Sequence, residues 1–193
     1  RVNSNDCYSY ATQNKAEYIM KAKKVLVAVS FLFVQVIFSG FTYANEAFVM
    51  KNGELERPMG YREWIYVGTP VTPNDMNDGK AAFPELHNVY IDPKSWKHWK
   101  NEGEFRDGTI IIKELVSVGS KSAVSGIGYF MGDFIGLEAT IKSKKHFKDE
   151  PGNWAYFSFS SADHKTLSKT ATAFPATSCN SCHAGAAADD FVF

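Results

Sequence analysis

Cysteine is scarce in this chain, with three in 193 residues. That is too few for the disulfide framework that small secreted scaffolds rely on. Charge of one sign is also lacking: 21 basic residues balance 21 acidic ones. Without a basic excess there is no electrostatic case for binding nucleic acid. The chain shows no internal repeat and no low-complexity tract, which excludes solenoids and linker-like segments. Long apolar runs are absent except for one near the N-terminus.

That run has the layout of an export signal. Met20-Lys21-Ala22-Lys23-Lys24 is a basic start, the apolar stretch from Val25 to Phe41 follows, and Thr42-Tyr43-Ala44 offers small residues at the outer positions of a cleavage site. The pattern predicts a signal peptide over 20–44, cut after Ala44. A membrane anchor is the alternative, but the run is barely long enough to span a bilayer and lacks a positive stop flank. Residues 1–19 read as an upstream translated extension, which leaves 45–193 as one domain, long enough to bury a core. Removing Arg1, Lys15, Lys21, Lys23 and Lys24 together with Asp6 and Glu17 leaves this domain at a formal net charge of −3. The expected setting is the periplasm, with no membrane contact after processing.

Short strands and turn signals dominate the domain. His87 to Ile91 predicts a strand closed by Asp92-Pro93, which can start a helix with Asp as N-cap and Pro at the first position. Trp96 and Trp99 then share a face, and Gly103 ends the helix. Thr109 to Val118 is the strongest strand by β-branched content. Tyr129 to Lys142 predicts a second strand region, with Gly132 and Gly136 as bulge points. Trp154 to Ser160 predicts a third, and Ala162 to Thr177 a weaker helix or loop. The expected class is α+β, mainly antiparallel sheet with a few short helices.

The chemistry is concentrated in Cys179-Asn180-Ser181-Cys182-His183. Cys-x-x-Cys-His is the attachment signature of c-type haem: two thiols add to the vinyl groups, and the histidine becomes the proximal iron ligand. A zinc site would need two more ligands, and the remaining cysteine, Cys7, precedes the expected cleavage point. A thioredoxin-like dithiol would sit early in a βαβ unit instead. With both domain cysteines given to one haem c per chain, no structural disulfide is expected. Only Ala184 to Phe193 follow the motif, so any contact on the far side of the iron must come from upstream.

Several longer strings stand in order along the domain: Tyr61-Arg62-Glu63-Trp64, Val89-Tyr90-Ile91-Asp92-Pro93, Gly103-Glu104-Phe105-Arg106-Asp107-Gly108-Thr109 and Lys113-Glu114-Leu115-Val116-Ser117-Val118-Gly119. Gly128-Tyr129-Phe130-Met131-Gly132-Asp133, Gly152-Asn153-Trp154, the haem motif and Asp190-Phe191-Val192-Phe193 complete the set. In these strings the domain resembles the cytochrome P-460 family, and closely its hydroxylamine-oxidising members. The resemblance implies a five-coordinate haem with a second covalent bond to a lysine, which matches Lys113. It further implies oxidation of hydroxylamine to nitric or nitrous oxide, with hydroxylamine or another small nitrogen ligand as the molecule bound. Electrons would pass to a soluble cytochrome c, and the protein would be a homodimer. Family members continue past the last residue here, so a final segment is expected to be missing.

The residues themselves leave roles open. Lys113 shares a strand face with Ile111 and Leu115 by alternation. An edge-strand lysine, or one laid over apolar surface, is the ordinary alternative. Glu138 and Asp133 are candidate distal bases because carboxylates in an apolar strand region need a reason; salt bridges would supply an ordinary one. Glu114 should point away from the Lys113 face. His87 is a candidate for hydrogen bonding to the haem or its ligand, or a structural histidine. Three functions compete. The first is a hydroxylamine oxidoreductase. The second is a gas-binding protein of the cytochrome c-prime-beta kind, which lacks the lysine bond. The third is an electron carrier, which would need Met59, Met76, Met131 or a histidine as a sixth ligand.

Overall fold

The structure, a computed structural model, describes residues 46–193; the expected extension and signal peptide lie outside the described residues. Ten residues from Thr109 to Val118 form the central strand of a five-stranded antiparallel sheet. Numbered in chain order, the strands are β1 (Met50–Lys51), β2 (Glu54–Glu56), β3 (Ile65–Gly68), β4 (Leu86–Ile91), β5 (Thr109–Val118), β6 (Ser122–Ala123), β7 (Gly126–Ile127), β8 (Met131–Lys142), β9 (Trp154–Ser158) and β10 (Thr170–Ala171). The large sheet has the order β3-β4-β5-β8-β9, β1-β2-β10 form a small second sheet, and β6-β7 a hairpin. Among the described residues two helices, α1 (Pro93–Glu102) and α2 (Asn180–Ala186), complete the α+β fold. Residues 46–193 make one compact unit.

Alternation along β5 sorts its residues onto two faces. Ile110 and Ile112 lie beside Ile141 and Ala139 of β8, which in turn lie beside Ala155 and Phe157 of β9. These residues pack on Phe48, Leu55 and Ala171 of the N-terminal segment and small sheet. Each fully buried isoleucine contributes about 1.5–3 kcal/mol by leaving water, so this face anchors the fold. The other face carries Ile111 and Lys113. At one end it is covered by a second cluster of Ile91, Phe105, Trp154 and Tyr156, with Trp96 and Trp99 of α1 packed against it.

α1 forms for the reasons its sequence gives. Asp92 accepts a hydrogen bond from the Ser95 N–H at 3.0 Å, Pro93 opens the first turn, and Gly103 leaves the helix at φ 74°. The second Asp92 oxygen accepts from the Ile110 N–H at 3.2 Å, so the cap also ties α1 to β5. Trp96 stacks on Trp99 at 5.3 Å, Trp99 on Phe105 at 6.2 Å, and Phe105 meets the buried Trp154 edge-on at 5.7 Å. The Trp pair is therefore half-buried, spent on joining α1 to the sheet.

One bulge point agrees with the sequence reading and one boundary differs from it. Register shifts fall between Leu115 and Val116 and again before Val118. Gly136 borders the first shift, as expected of a bulge point. The stretch expected as helix or loop from Ala162 to Thr177 contains β10, which pairs with β2 by setting Ala171 opposite Leu55. A two-residue strand carries no periodicity of its own; a partner far away in sequence creates it.

Candidate haem site

α2 begins directly after Cys179, and the His183 N–H donates to the Cys179 carbonyl at 3.1 Å, so one helical turn gathers both thiols and the imidazole. The helix is short, and side chains hold it in place. Asn180, inside the motif, is buried and donates from Nδ2 to the Trp154 carbonyl of β9 at 2.8 Å. Ser181 Oγ donates to the Thr177 carbonyl at 3.1 Å. Cys179 packs half-buried against the aromatic cluster, Cys182 is exposed, and both are free thiols.

His183 lies against Tyr156 of β9, with ring centroids 4.4 Å apart, and against Phe193 at 4.8 Å. Its Nδ1 is 2.8 Å from the Phe191 carbonyl. A carbonyl only accepts, so the hydrogen sits on Nδ1 and the lone pair on Nε2 is left for a metal. Burial pushes the imidazole below its ordinary pKa, the Phe191 bond opposes this, and the Lys113 ammonium adds to it. Loss of the proton is what iron ligation requires.

The Phe191 carbonyl is presented by a tight turn. Asp190 and Phe191 stand at positive φ, 44° and 65°, and the Val192 N–H closes on the Asp189 carbonyl at 2.8 Å. The Asp190 carboxylate forms an ion pair with Lys142 and accepts from Trp154 Nε1 at 3.4 Å. Gly152 makes room: it sits at φ +62°, and a Cβ there would stand 2.3 Å from the Phe191 ring. Even alanine would have to displace the turn.

The exposed half of the same sheet face holds the other candidates. Lys113 and Glu138 are register partners on β5 and β8, with Nζ and Oε2 2.6 Å apart and each side chain about 30% exposed (30% and 29%). β5 is an interior strand, so the edge-strand account of Lys113 does not apply. The ammonium also lies over the Phe83 ring at 5.4 Å. His87, opposite Leu115, contacts Glu85 through Nε2 at 3.2 Å. Burial pushes its pKa down, and the Lys113 charge pushes further. The Cys179 thiol is pushed up by burial first and by Glu138 second, with Lys113 opposing. Lys113 therefore lies within electrostatic reach of Glu138, Cys179 and His183, and Glu138 within reach of Cys179.

Not every candidate joins them. Asp133 is exposed, beyond the register shift and roughly 15 Å of strand from Glu138, with its N–H donating to Ser117 Oγ at 2.8 Å. Glu114 points to the opposite face, buried and bonded to Tyr61 and Arg62. Met59, Met76 and Met131 are exposed. The Met131 sulfur accepts from Asn88, a residue bonded to Glu114 on that opposite face.

Tyr156, Asn180, Lys142 and Asp190 are site residues to which the sequence reading gave no role. Lys142 could have been found, since strand alternation places it on the Glu138 face. The Phe191 contribution comes from a backbone carbonyl and leaves no side-chain signal.

The donor set fits a c-type haem: two free thiols on one turn, an imidazole with Nε2 free, and an apolar wall beside a half-open sheet face. Among the described residues no cluster of three or more His, Cys, Asp or Glu side chains could hold a bare metal ion, and no helix is long and apolar enough to cross a membrane. No curated protein matches the chain. The sequence model of the family described as Cytochrome P460 matches residues 58–193, from the segment before Tyr61 through the haem motif and the turn that follows it. On that match the chain belongs to the Cytochrome P460 family, and is a c-type haem protein of the oxidoreductase kind.

Proposed function

We propose that this protein oxidises hydroxylamine to nitric or nitrous oxide. In this reading it works in the periplasm as a homodimer and delivers electrons to a soluble cytochrome c. When bound, haem c would supply a ferric iron that takes a small nitrogen ligand, acidifies its protons and accepts its electrons. Cys179 and Cys182 would hold the macrocycle, and His183 Nε2 the iron.

The observation that carries the proposal is the Lys113–Glu138 pair, 2.6 Å apart on the face that also presents His183. An oxidation that removes protons with electrons needs a proton acceptor near the reacting ligand. Glu138 is that acceptor in this reading: half-exposed, aimed to the haem side, and free to exchange its bond with Lys113 for one with a substrate. Lys113 has the matching chemistry for the second covalent attachment to the ring. A lysine amine is a nucleophile only when neutral, so the attachment would require Lys113 to leave the ion pair as the free amine.

The same ion pair favours a second reading. A lysine held as an ammonium by Glu138 is not free to attack the ring, and the protein would then bind nitric oxide or carbon monoxide without oxidising hydroxylamine. The ferrous absorption spectrum of the protein, made in a host that matures c-type haem, separates the two. A Soret band far to the red of an ordinary c-type cytochrome is expected, with hydroxylamine turnover. In Lys113→Leu, haem attachment should persist, while the red shift and turnover disappear. An ordinary high-spin spectrum in the unmodified protein would leave gas binding as the function, and unchanged turnover in Lys113→Leu would remove Lys113 from the mechanism.

A further inference from the structure

A histidine that binds a metal is tuned by what its other nitrogen does. Here that partner is the Phe191 carbonyl, 2.8 Å from His183 Nδ1. A backbone carbonyl cannot move independently of its peptide, so its aim depends on what holds the peptide. Asp190 and Phe191 both stand at positive φ, a strained conformation for non-glycine residues that persists only where the surroundings enforce it. Three contacts do so. Lys142, at the end of β8, forms an ion pair with the Asp190 carboxylate; the Trp154 indole donates to the same carboxylate at 3.4 Å; and the Tyr156 hydroxyl donates to the Phe191 carbonyl at 3.4 Å. Lys142 is only 15% exposed and Asp190 26%, so the pair is shielded from the solvent screening that weakens surface ion pairs.

We infer that the Lys142–Asp190 ion pair is a positioning device for the iron ligand: it locks the turn that aims the Phe191 carbonyl at His183 Nδ1, and so sets the electron donation of His183 to iron. Hydrogen bonding at Nδ1 raises the basicity of Nε2. A more basic ligand favours ferric over ferrous iron and lowers the reduction potential. Lys142 and Asp190 touch neither substrate nor iron and act through His183 alone.

The inference rests on the haem assignment, and the test keeps the two apart. Lys142→Met, Asp190→Asn and the conservative Lys142→Arg are expressed beside the unmodified protein in a host that matures c-type haem. The readouts are the iron–histidine stretching frequency of the ferrous form, by resonance Raman, and the midpoint potential. If the unmodified protein carries no covalent haem, the haem assignment fails. If it does, Lys142→Met and Asp190→Asn should lower the stretching frequency. They should also shift the reduction equilibrium toward ferrous iron by about three- to tenfold, the upper figure being 59 mV for a one-electron couple. Lys142→Arg should restore both values, and the double variant should go no further than either single one, as expected for a shared interaction. A merely structural pair would lower the melting temperature and leave both readouts of the folded haem protein unchanged; that result overturns the inference. So does failure of all three variants, Lys142→Arg included, to load haem.

Discussion

Glu114 and Glu138 lie on neighbouring central strands, on opposite faces of the same sheet, and they are used in opposite ways. Glu114 is 3% exposed and accepts from the Tyr61 hydroxyl at 2.7 Å, Arg62 Nε at 2.6 Å and Asn88 Nδ2 at 3.4 Å. The Tyr61 phenol is pushed well up, first by its own burial and then by its bond to Glu114. A carboxylate taken out of water survives only with its lone pairs filled, and this one is fully engaged. Glu138 is half-exposed and, among the described residues, its ion-pair partner is Lys113 alone. The saturated carboxylate can do little but hold the Tyr61–Glu63 turn, β4 and β5 together. The undersaturated one can exchange partners, which is what proton transfer demands.

Swapping each carboxylate for its amide should separate these roles. Glu138→Gln keeps the size and most of the polarity while removing the base. Turnover of hydroxylamine per haem should fall by about 10²–10⁴-fold, the usual contribution of a positioned acid–base group, with haem content and melting temperature nearly unchanged. Glu114→Gln should do the reverse. Steady-state rates normalised to haem, beside thermal melts of both variants, decide the matter. Equal loss of turnover in the two would mean the faces do not divide the work as argued.

A harsher change sharpens the structural half of the contrast. Glu114→Ala leaves the Tyr61 hydroxyl and the Asn88 amide without their acceptor, a loss of about 2–3 kcal/mol for buried donors. Arg62 adds little to that, because its side chain is 66% exposed and water replaces the carboxylate. Urea unfolding should show a lower midpoint at constant slope. Arg62→Gln should cost well under half as much, and an equal cost would shift the energetic weight from the buried groups to the exposed guanidinium.

How far sequence carried this reading depends on the range of the interactions. The isoleucines from Ile110 to Ile112, the Asp92-Pro93 cap and the Gly103 stop are local signals, and the structure has the elements they specify. Strand alternation placed Lys113 and Glu114 on opposite faces, and they lie there. The Lys113–Glu138 pairing needed the β5–β8 register, which hydrophobic pattern alone does not number, least of all with two shifts in it. The β1–β2 hairpin turns at Asn52-Gly53, with both residues at positive φ. That dipeptide is a strong hairpin signal by itself, so this element is legible in the sequence. The Phe191 carbonyl was not legible, because its role depends on backbone direction at two strained residues held from β8 and β9.

The smallest expected effect concerns pH and belongs to the Glu138 face. His87 is pushed below its ordinary value of 6.5 by burial, with the Lys113 ammonium adding to this and Glu85 and Glu138 opposing it. Above about pH 6.5 the imidazole is neutral in both folded and unfolded chains and contributes no pH dependence. Below it, the unfolded chain takes up the proton while the folded one resists. Stability should therefore fall as pH drops from about 6.5 toward the lower folded value, and level off beneath it. Unfolding free energies of the haem-loaded protein at pH 7.5, 6.5 and 5.5, compared with His87→Asn, measure this contribution. The haem-loaded form is the right material because His183, also pushed down by burial, is then tied to iron and silent. His87→Asn should lose stability less steeply over that window. If the two proteins decline in parallel, His87 is not the titrating group, and acid sensitivity must be sought among the carboxylates instead.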